Sequence, residues 1–125
     1  MRVFDSNTLI YYLNGVFSPR RRAQINDWIQ EEALVSVITR IEVLGYTQPD
    51  REQDRVNRFL ALFQEISLEE EIVRATISIR RQHSIGVPDA IIAATALDLD
   101  VPLVTRNTSD FEAIEGLVLV NPFED

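Results

Sequence analysis

Short runs of β-branched and aromatic residues alternate along this chain with stretches whose apolar residues recur every three or four positions. That alternation predicts strands and helices in turn, the pattern of a parallel sheet covered by helices. The first predicted strand is Arg2 to Asp5, followed by a helix from Asn7 or Thr8 to Leu13. Ser18-Pro19 supplies an N-cap and a first-position proline for a helix to about Glu31, with Ile25, Trp28 and Ile29 on its apolar face. Ala33 to Val37 reads as the second strand and Thr39 to Tyr46 as a short helix. Asp50 is the expected cap of the next helix, on which Val56, Phe59, Leu60 and Phe63 recur at helical spacing, with a short strand around Phe63 to Ile66.

Ser67-Leu68-Glu69-Glu70 has the form of a capping box and predicts a helix to about His83. Ser84 to Val87 is expected to be a loop, and Pro88-Asp89 to open a helix through Leu99. That helix is apolar nearly all round and is therefore expected to be buried. Leu103 to Thr105 is the next strand, Arg106 to Phe111 a polar loop, and Gly116 to Val120 the last strand, before Asn121-Pro122-Phe123.

Composition narrows the class. With 125 residues, 46% of them hydrophobic and 26% charged, the chain suits one globular domain, residues 1–125. There is no Cys, which excludes disulfides and thiolate metal sites, and one His, His83, which argues against a His-rich zinc site. The first residues lack signal-peptide character and no apolar run is long enough to span a membrane, so the expected location is cytoplasmic.

The net charge of −8 argues against binding nucleic acid through a general basic field. All twelve basic residues are Arg, however, a better bidentate phosphate ligand than Lys. Arg20-Arg21-Arg22 and Arg51, Arg55 and Arg58 are clustered, which solvated helix faces also explain.

The chemistry lies in acids and amides at element ends on one side of the predicted sheet: Asp5, Glu42, Asp89, Asn107 and Asp110. Each has a plain structural explanation. Asp5 can form a strand-end turn, Glu42 can be a solvated helix acid, Asp89 can cap a helix, and Asn107 with Asp110 can build a turn. Together they read differently, because Glu42 and Asp89 both border apolar runs and buried carboxylates repel unless a cation joins them. Oxygen ligands without Cys or a His pair select hard ions, Mg²⁺ or Mn²⁺. Two such ions ~4 Å apart suit phosphodiester hydrolysis. His83 reads as a helix C-terminal charge, and Trp28 as core or dimer surface rather than a platform for bases.

Four segments resemble, in order, the four motifs of PIN-domain proteins: Val3-Phe4-Asp5-Ser6-Asn7-Thr8, Ser36-Val37-Ile38-Thr39-Arg40-Ile41-Glu42, Val87-Pro88-Asp89-Ala90-Ile91-Ile92, and Leu103-Val104-Thr105-Arg106-Asn107-Thr108-Ser109-Asp110-Phe111. The set looks most like the VapC toxins of bacterial type II toxin–antitoxin modules and extends to the closing Asn-Pro-Phe. The resemblance implies an α/β, Rossmann-like PIN fold of three layers, with a central, mainly parallel sheet of four to five strands flanked by helices. It also implies a Mg²⁺-dependent endoribonuclease that cuts RNA, forms a homodimer and is held by a cognate VapB-like antitoxin.

By position, Asp5, Glu42 and Asp89 match the acids that hold metal, with Asn107 and Asp110 completing the set. Asn107 stands where many PIN domains carry Asp, so it brings an oxygen but no charge. Asn7 and Thr105 match positions that orient the acids by hydrogen bonds. Arg106 is the expected phosphate contact. The alternative to a nuclease is a catalytically silent PIN-like binding module, for which Asn107 speaks. A phospho-receiver domain would need a Lys after its last strand, and the chain has none.

Overall fold

The computed structural model describes residues 1–46 and 49–124. Its five strands are β1 (Arg2–Phe4), β2 (Ala33–Ser36), β3 (Gln64–Ile66), β4 (Leu103–Val104) and β5 (Leu119–Val120). All four pairings are parallel, in the order β3-β2-β1-β4-β5. The chain builds outward from β1 in one direction through β2 and β3, then returns to build in the other through β4 and β5. The reversal lies between β1 and β4, and ligands of open α/β sheets bind beyond the carboxyl ends of the strands at such a point.

The helices are α1 (Ser6–Leu13), α2 (Pro19–Gln30), α3 (Val37–Gly45), α4 (Gln53–Leu60), α5 (Glu70–Gln82), α6 (Val87–Leu99) and the single turn α7 (Thr108–Phe111). Strand alternation divides the core in two. Val3, Leu34 and Leu103 face Ile72 and Ile79 of α5, the buried alanines of α6, and Phe111. Phe4, Val35 and Val104 face Leu9 of α1, Ile25 of α2, Val43 of α3 and Val56 of α4. The expected three layers are thus formed by a sheet apolar on both faces, as parallel sheets are. Phe4 anchors the second face, edge-on to Phe63 at 5.4 Å and to the half-buried Trp28 at 6.4 Å.

Helix α6 is buried from Ala90 to Ala96, as its unbroken apolar run predicts. Its four alanines let α5 and the sheet approach closely, and the Thr95 hydroxyl donates to Ile91 O at 2.8 Å within its own helix. Asp100 ends the helix in the left-handed conformation, and Gly116 (φ +84°) turns the chain into β5. No helix among the described residues is long and apolar enough to cross a membrane.

Several local expectations are corrected. Asp50 does not cap α4: after Pro49 the chain winds one 3₁₀ turn, Asp50–Glu52, and the α-helix starts at Gln53 and ends before Phe63. The Ser67 capping box does not form. The Ser67 hydroxyl instead donates to Glu69 Oε1 at 2.7 Å, and a tight turn out of β3 delays the helix to Glu70. Thr39 and Pro88 lie inside helices that begin two residues and one residue earlier, at Val37 and Val87. The expected polar loop from Arg106 to Phe111 contains α7, whose turn puts Phe111 into the core.

Candidate active site

The carboxyl ends of β1 and β4 meet where the sheet changes direction, and Asp5 stands between them. Its backbone N–H donates to Val104 O at 3.1 Å, extending the ladder by one residue. Its side chain accepts two hydrogen bonds: Oδ1 from the Thr8 N–H at 2.8 Å, and Oδ2 from the Thr105 hydroxyl at 2.6 Å. The first makes Asp5 the N-cap of α1, so the turn-forming role weighed from sequence and a role in the site coexist in one carboxylate. The second ties β1 to the end of β4 across 100 positions of sequence. Thr105 in turn accepts from the Asn107 N–H at 3.2 Å, which fixes the start of the next segment.

Glu42 projects from α3 and is half-buried. Its Oε1 accepts from the Ser6 hydroxyl at 2.7 Å, and Ser6 Oγ also lies 3.1 Å from Thr39 Oγ1. The first turn of α1 therefore orients two acids at once, its backbone holding Asp5 and its leading side chain holding Glu42. Asp89 sits half-buried in the first turn of α6, where Gly86 is the N-cap, so Asp89 is not itself the cap. Asp110 is exposed on α7, and its N–H donates to Asn107 O at 3.0 Å.

The electrostatics join these residues into one group. Asp5 is pushed above the ordinary carboxylate range first by burial, with Glu42 adding repulsion, against the lowering effect of Thr105 and Thr8. Asp89 is also pushed up, by burial and then by the charges of Asp5, Glu42 and Asp110. Among the described residues none of the four acids is paired with an arginine. Four carboxylates thus share one region, and among the described residues none of them is neutralised by an ion pair.

The PIN-domain family model matches residues 2–117 of this chain. The chain belongs to the PIN-domain family and is of the VapC type. It is 33% identical over 127 aligned positions to Ribonuclease VapC10 of Mycobacterium tuberculosis, covering 94% of this chain and 90% of that protein. It is 30% identical over 116 positions to Ribonuclease VapC1 of Methanocaldococcus jannaschii, covering 89% and 79%. Its fold superposes with a TM-score of 0.83 on a chain of a toxin–antitoxin complex from Klebsiella pneumoniae, at 30% identity and over 100% of both chains.

Within this PIN domain, the expected site residues fall into three groups. Asp5, Glu42, Asp89 and Asp110 face one another, with Thr105 bonded to Asp5 and Asn107 carried beside it. Asn7 is exposed in the first turn of α1, and the side chain there that bonds a site acid is its neighbour Ser6. Arg106 lies with its guanidinium over the rings of Phe123 (4.5 Å) and Tyr11 (5.6 Å).

Sequence reasoning missed Ser6 and Thr39 as orienting groups. A serine after a strand-end Asp reads as turn chemistry, and its partner Glu42 is 36 positions away. His83, set outside the group from sequence, lines one cleft with Asp89 and Asp110.

The available donors are carboxylate and amide oxygens without a thiol or an imidazole pair, a set that suits Mg²⁺ or Mn²⁺. Among the described residues no three acidic or His side chains are drawn close enough to form a finished cage. Asp5, Glu42 and Asp89 could hold an ion from the sheet side, with Asn107 and Asp110 facing them.

Proposed function

We propose that this chain is a metal-dependent endoribonuclease, the toxin of a toxin–antitoxin pair, acting through Asp5, Glu42, Asp89 and Asp110. The observation that carries the reading is the convergence of these carboxylates: burial first, and then their mutual charge, raises Asp5 and Asp89, and among the described residues no arginine is paired with any of the four. Such an arrangement costs stability and persists where a cation is to be bound. The relatives named as VapC ribonucleases support the same activity.

Each residue has a part. Thr105 and the Thr8 N–H keep the Asp5 carboxylate in one orientation. Ser6 does the same for Glu42 from one hydroxyl. Asp89 completes the group from the first turn of α6, where burial and the other acids push it up and a cation would favour its ionised form. Asn107 offers a neutral oxygen and Asp110 a solvated charge. A divalent ion held there supplies Lewis acidity toward water and a phosphodiester. Arg106, whose guanidinium lies over Phe123 and Tyr11, is the residue proposed to meet an RNA phosphate, so that the substrate is gripped locally in spite of the net charge of −8.

The partner is a VapB-like antitoxin, supported by likeness to a chain of a toxin–antitoxin complex. The acidic region suits an arginine from that partner as well as it suits a metal ion. The active form is proposed to be a homodimer.

Purified protein is expected to cut single-stranded RNA with Mg²⁺ or Mn²⁺, and to stop in EDTA or as Asp5→Asn. Cutting that needs no metal and survives Asp5→Asn would overturn the proposal. One specific feature favours a second reading, a silent PIN-like binding module: the neutral Asn107 leaves the far side of the site one charge short. Failure to cut any RNA with either ion, together with capture of the antitoxin, would establish that reading instead.

A further inference from the structure

Beside the acids, the end of α5, the start of α6 and α7 enclose a cleft of about 420 Å³. One wall is shared with the site and carries Asp89 and Asp110. Others carry the His83 imidazole and the hydroxyls of Ser84 and Ser109, over a floor of Ile85 and Ile114 that belongs to the buried core. Among the described residues none of these three polar side chains spends a hydrogen bond within the protein. The loop between the helices is nonetheless fixed, because the Arg80 guanidinium donates to Ile85 O at 2.6 Å.

The chemistry of this cleft selects its occupant. Two carboxylates and no arginine line it, so a phosphate is repelled. An apolar floor with polar edges suits a flat, uncharged ring with hydrogen-bonding edges, and the volume lies within the range of about 300–1,000 Å³ typical of ligand pockets. Proteins that read RNA by sequence do so on unstacked bases, stacked on aromatic side chains that include His and bonded along their edges.

We propose that this cleft is a base pocket that takes one unstacked base of single-stranded RNA, beside the phosphodiester presented to the acids, with His83, Ser84 and Ser109 reading it. The inference rests on the ribonuclease reading and deepens it. The acids cut at any phosphodiester, and the cleft chooses which nucleotide lies next to the cut.

Two variants test it, with folding checked by circular dichroism. His83→Ala removes the imidazole, and Ala113→Phe fills the cleft from an exposed wall position without removing a polar group. Short single-stranded RNAs differing at one position are scored in two ways. Binding is measured by fluorescence anisotropy in EDTA, and cut ends are sequenced after incubation with Mn²⁺.

The wild type is expected to prefer one base at a fixed place beside the cut by roughly tenfold, the scale of one good hydrogen-bonded contact to a base edge. Both variants should lose that preference in binding and in cutting, with KM raised more than kcat is lowered. Cutting that continues with the base preference unchanged in both variants overturns the pocket and leaves the nuclease intact. A wild type with no base preference in either readout does the same. A wild type that neither binds nor cuts RNA overturns both readings. Variants that lose only antitoxin binding would show that the cleft serves the protein partner, which also overturns the base pocket.

Discussion

The two sides of the acidic site are built in different ways. On the β1 side every acid is held by a hydroxyl or an amide: Asp5 by Thr8 and Thr105, Glu42 by Ser6. Among the described residues the acids on the α6 and α7 side have no such supports. Asp89 relies on its place in the first turn of α6, Asp110 is exposed, and Asn107 replaces a charge with an amide. The first side is a preorganised wall built from the ends of β1 and β4 with α1 and α3, and the second is a less supported one on helix ends. Orienting groups that fix a ligand ordinarily matter nearly as much as the ligand itself. The functional cost of losing a residue should therefore follow its side of the site.

The largest effect is expected at Asp5. Asp5→Asn should lower RNA cleavage by roughly 10³-fold, the scale of several kcal/mol of lost charge stabilisation. It should also raise thermal stability in metal-free buffer, because the amide keeps an acceptor for Thr8 without a buried charge. The sign follows from the upward shift of Asp5. Its folded form holds the proton at pH values where the unfolded chain, near the ordinary value of 3.8, has released it. The contribution of this group is fully present below that ordinary value and is lost as pH rises through the raised one. The stability advantage of Asp5→Asn should therefore widen as pH rises above the ordinary value of 3.8, read as melting temperature in EDTA, and an advantage that shrinks as pH rises from there would contradict the account.

Next come the hydroxyls of the preorganised wall. Ser6→Ala or Thr105→Val should lower metal affinity or activity by about 10- to 100-fold while leaving the acids in place. The two changes act on different carboxylates, so their combination tests whether the wall works as a unit. If each costs less than the loss of Asp110, the contrast between the two sides fails.

On the less supported side, Asn107→Asp supplies the missing charge. It should tighten Mg²⁺ or Mn²⁺ binding a few-fold, on the scale of about 1 kcal/mol for a solvated charge near an ion. Calorimetric titration with Mn²⁺ reads this directly. Arg106→Ala should have the smallest effect, weakening RNA binding a few-fold and lowering the salt slope by about one.

Much of this was legible in the sequence, for identifiable reasons. Val3-Phe4 and Leu103-Val104 announce buried strands because both faces of a parallel sheet are covered, and the run from Ala90 to Ala96 announces a buried helix because no face of it is polar. As candidates, Glu42 and Asp89 were legible because a charge beside an apolar run needs a reason, Asp5 because it ends a buried strand, and Asp110 because it lies in the fourth PIN-like motif. The orienting groups were not. Ser6 and Glu42 meet only through the packing of α1 against α3, and a hydroxyl carries no local trace of the carboxylate it will serve. His83 was placed by its helix end, and only the fold shows that this end opens beside Asp89. The Ser67 box failed because a turn out of β3 took the serine hydroxyl first.

A thermal melt of the metal-free protein, repeated with millimolar Mn²⁺ and then with Asp5→Asn, tests the central claim most directly. An ion bound by the folded state alone raises its stability by mass action, about 2.7 kcal/mol at a hundredfold excess over Kd. The wild type is predicted to melt several degrees higher with Mn²⁺, and Asp5→Asn to show little or no rise. An unchanged wild-type melting temperature, or an equal rise in Asp5→Asn, would contradict a cation site built on Asp5.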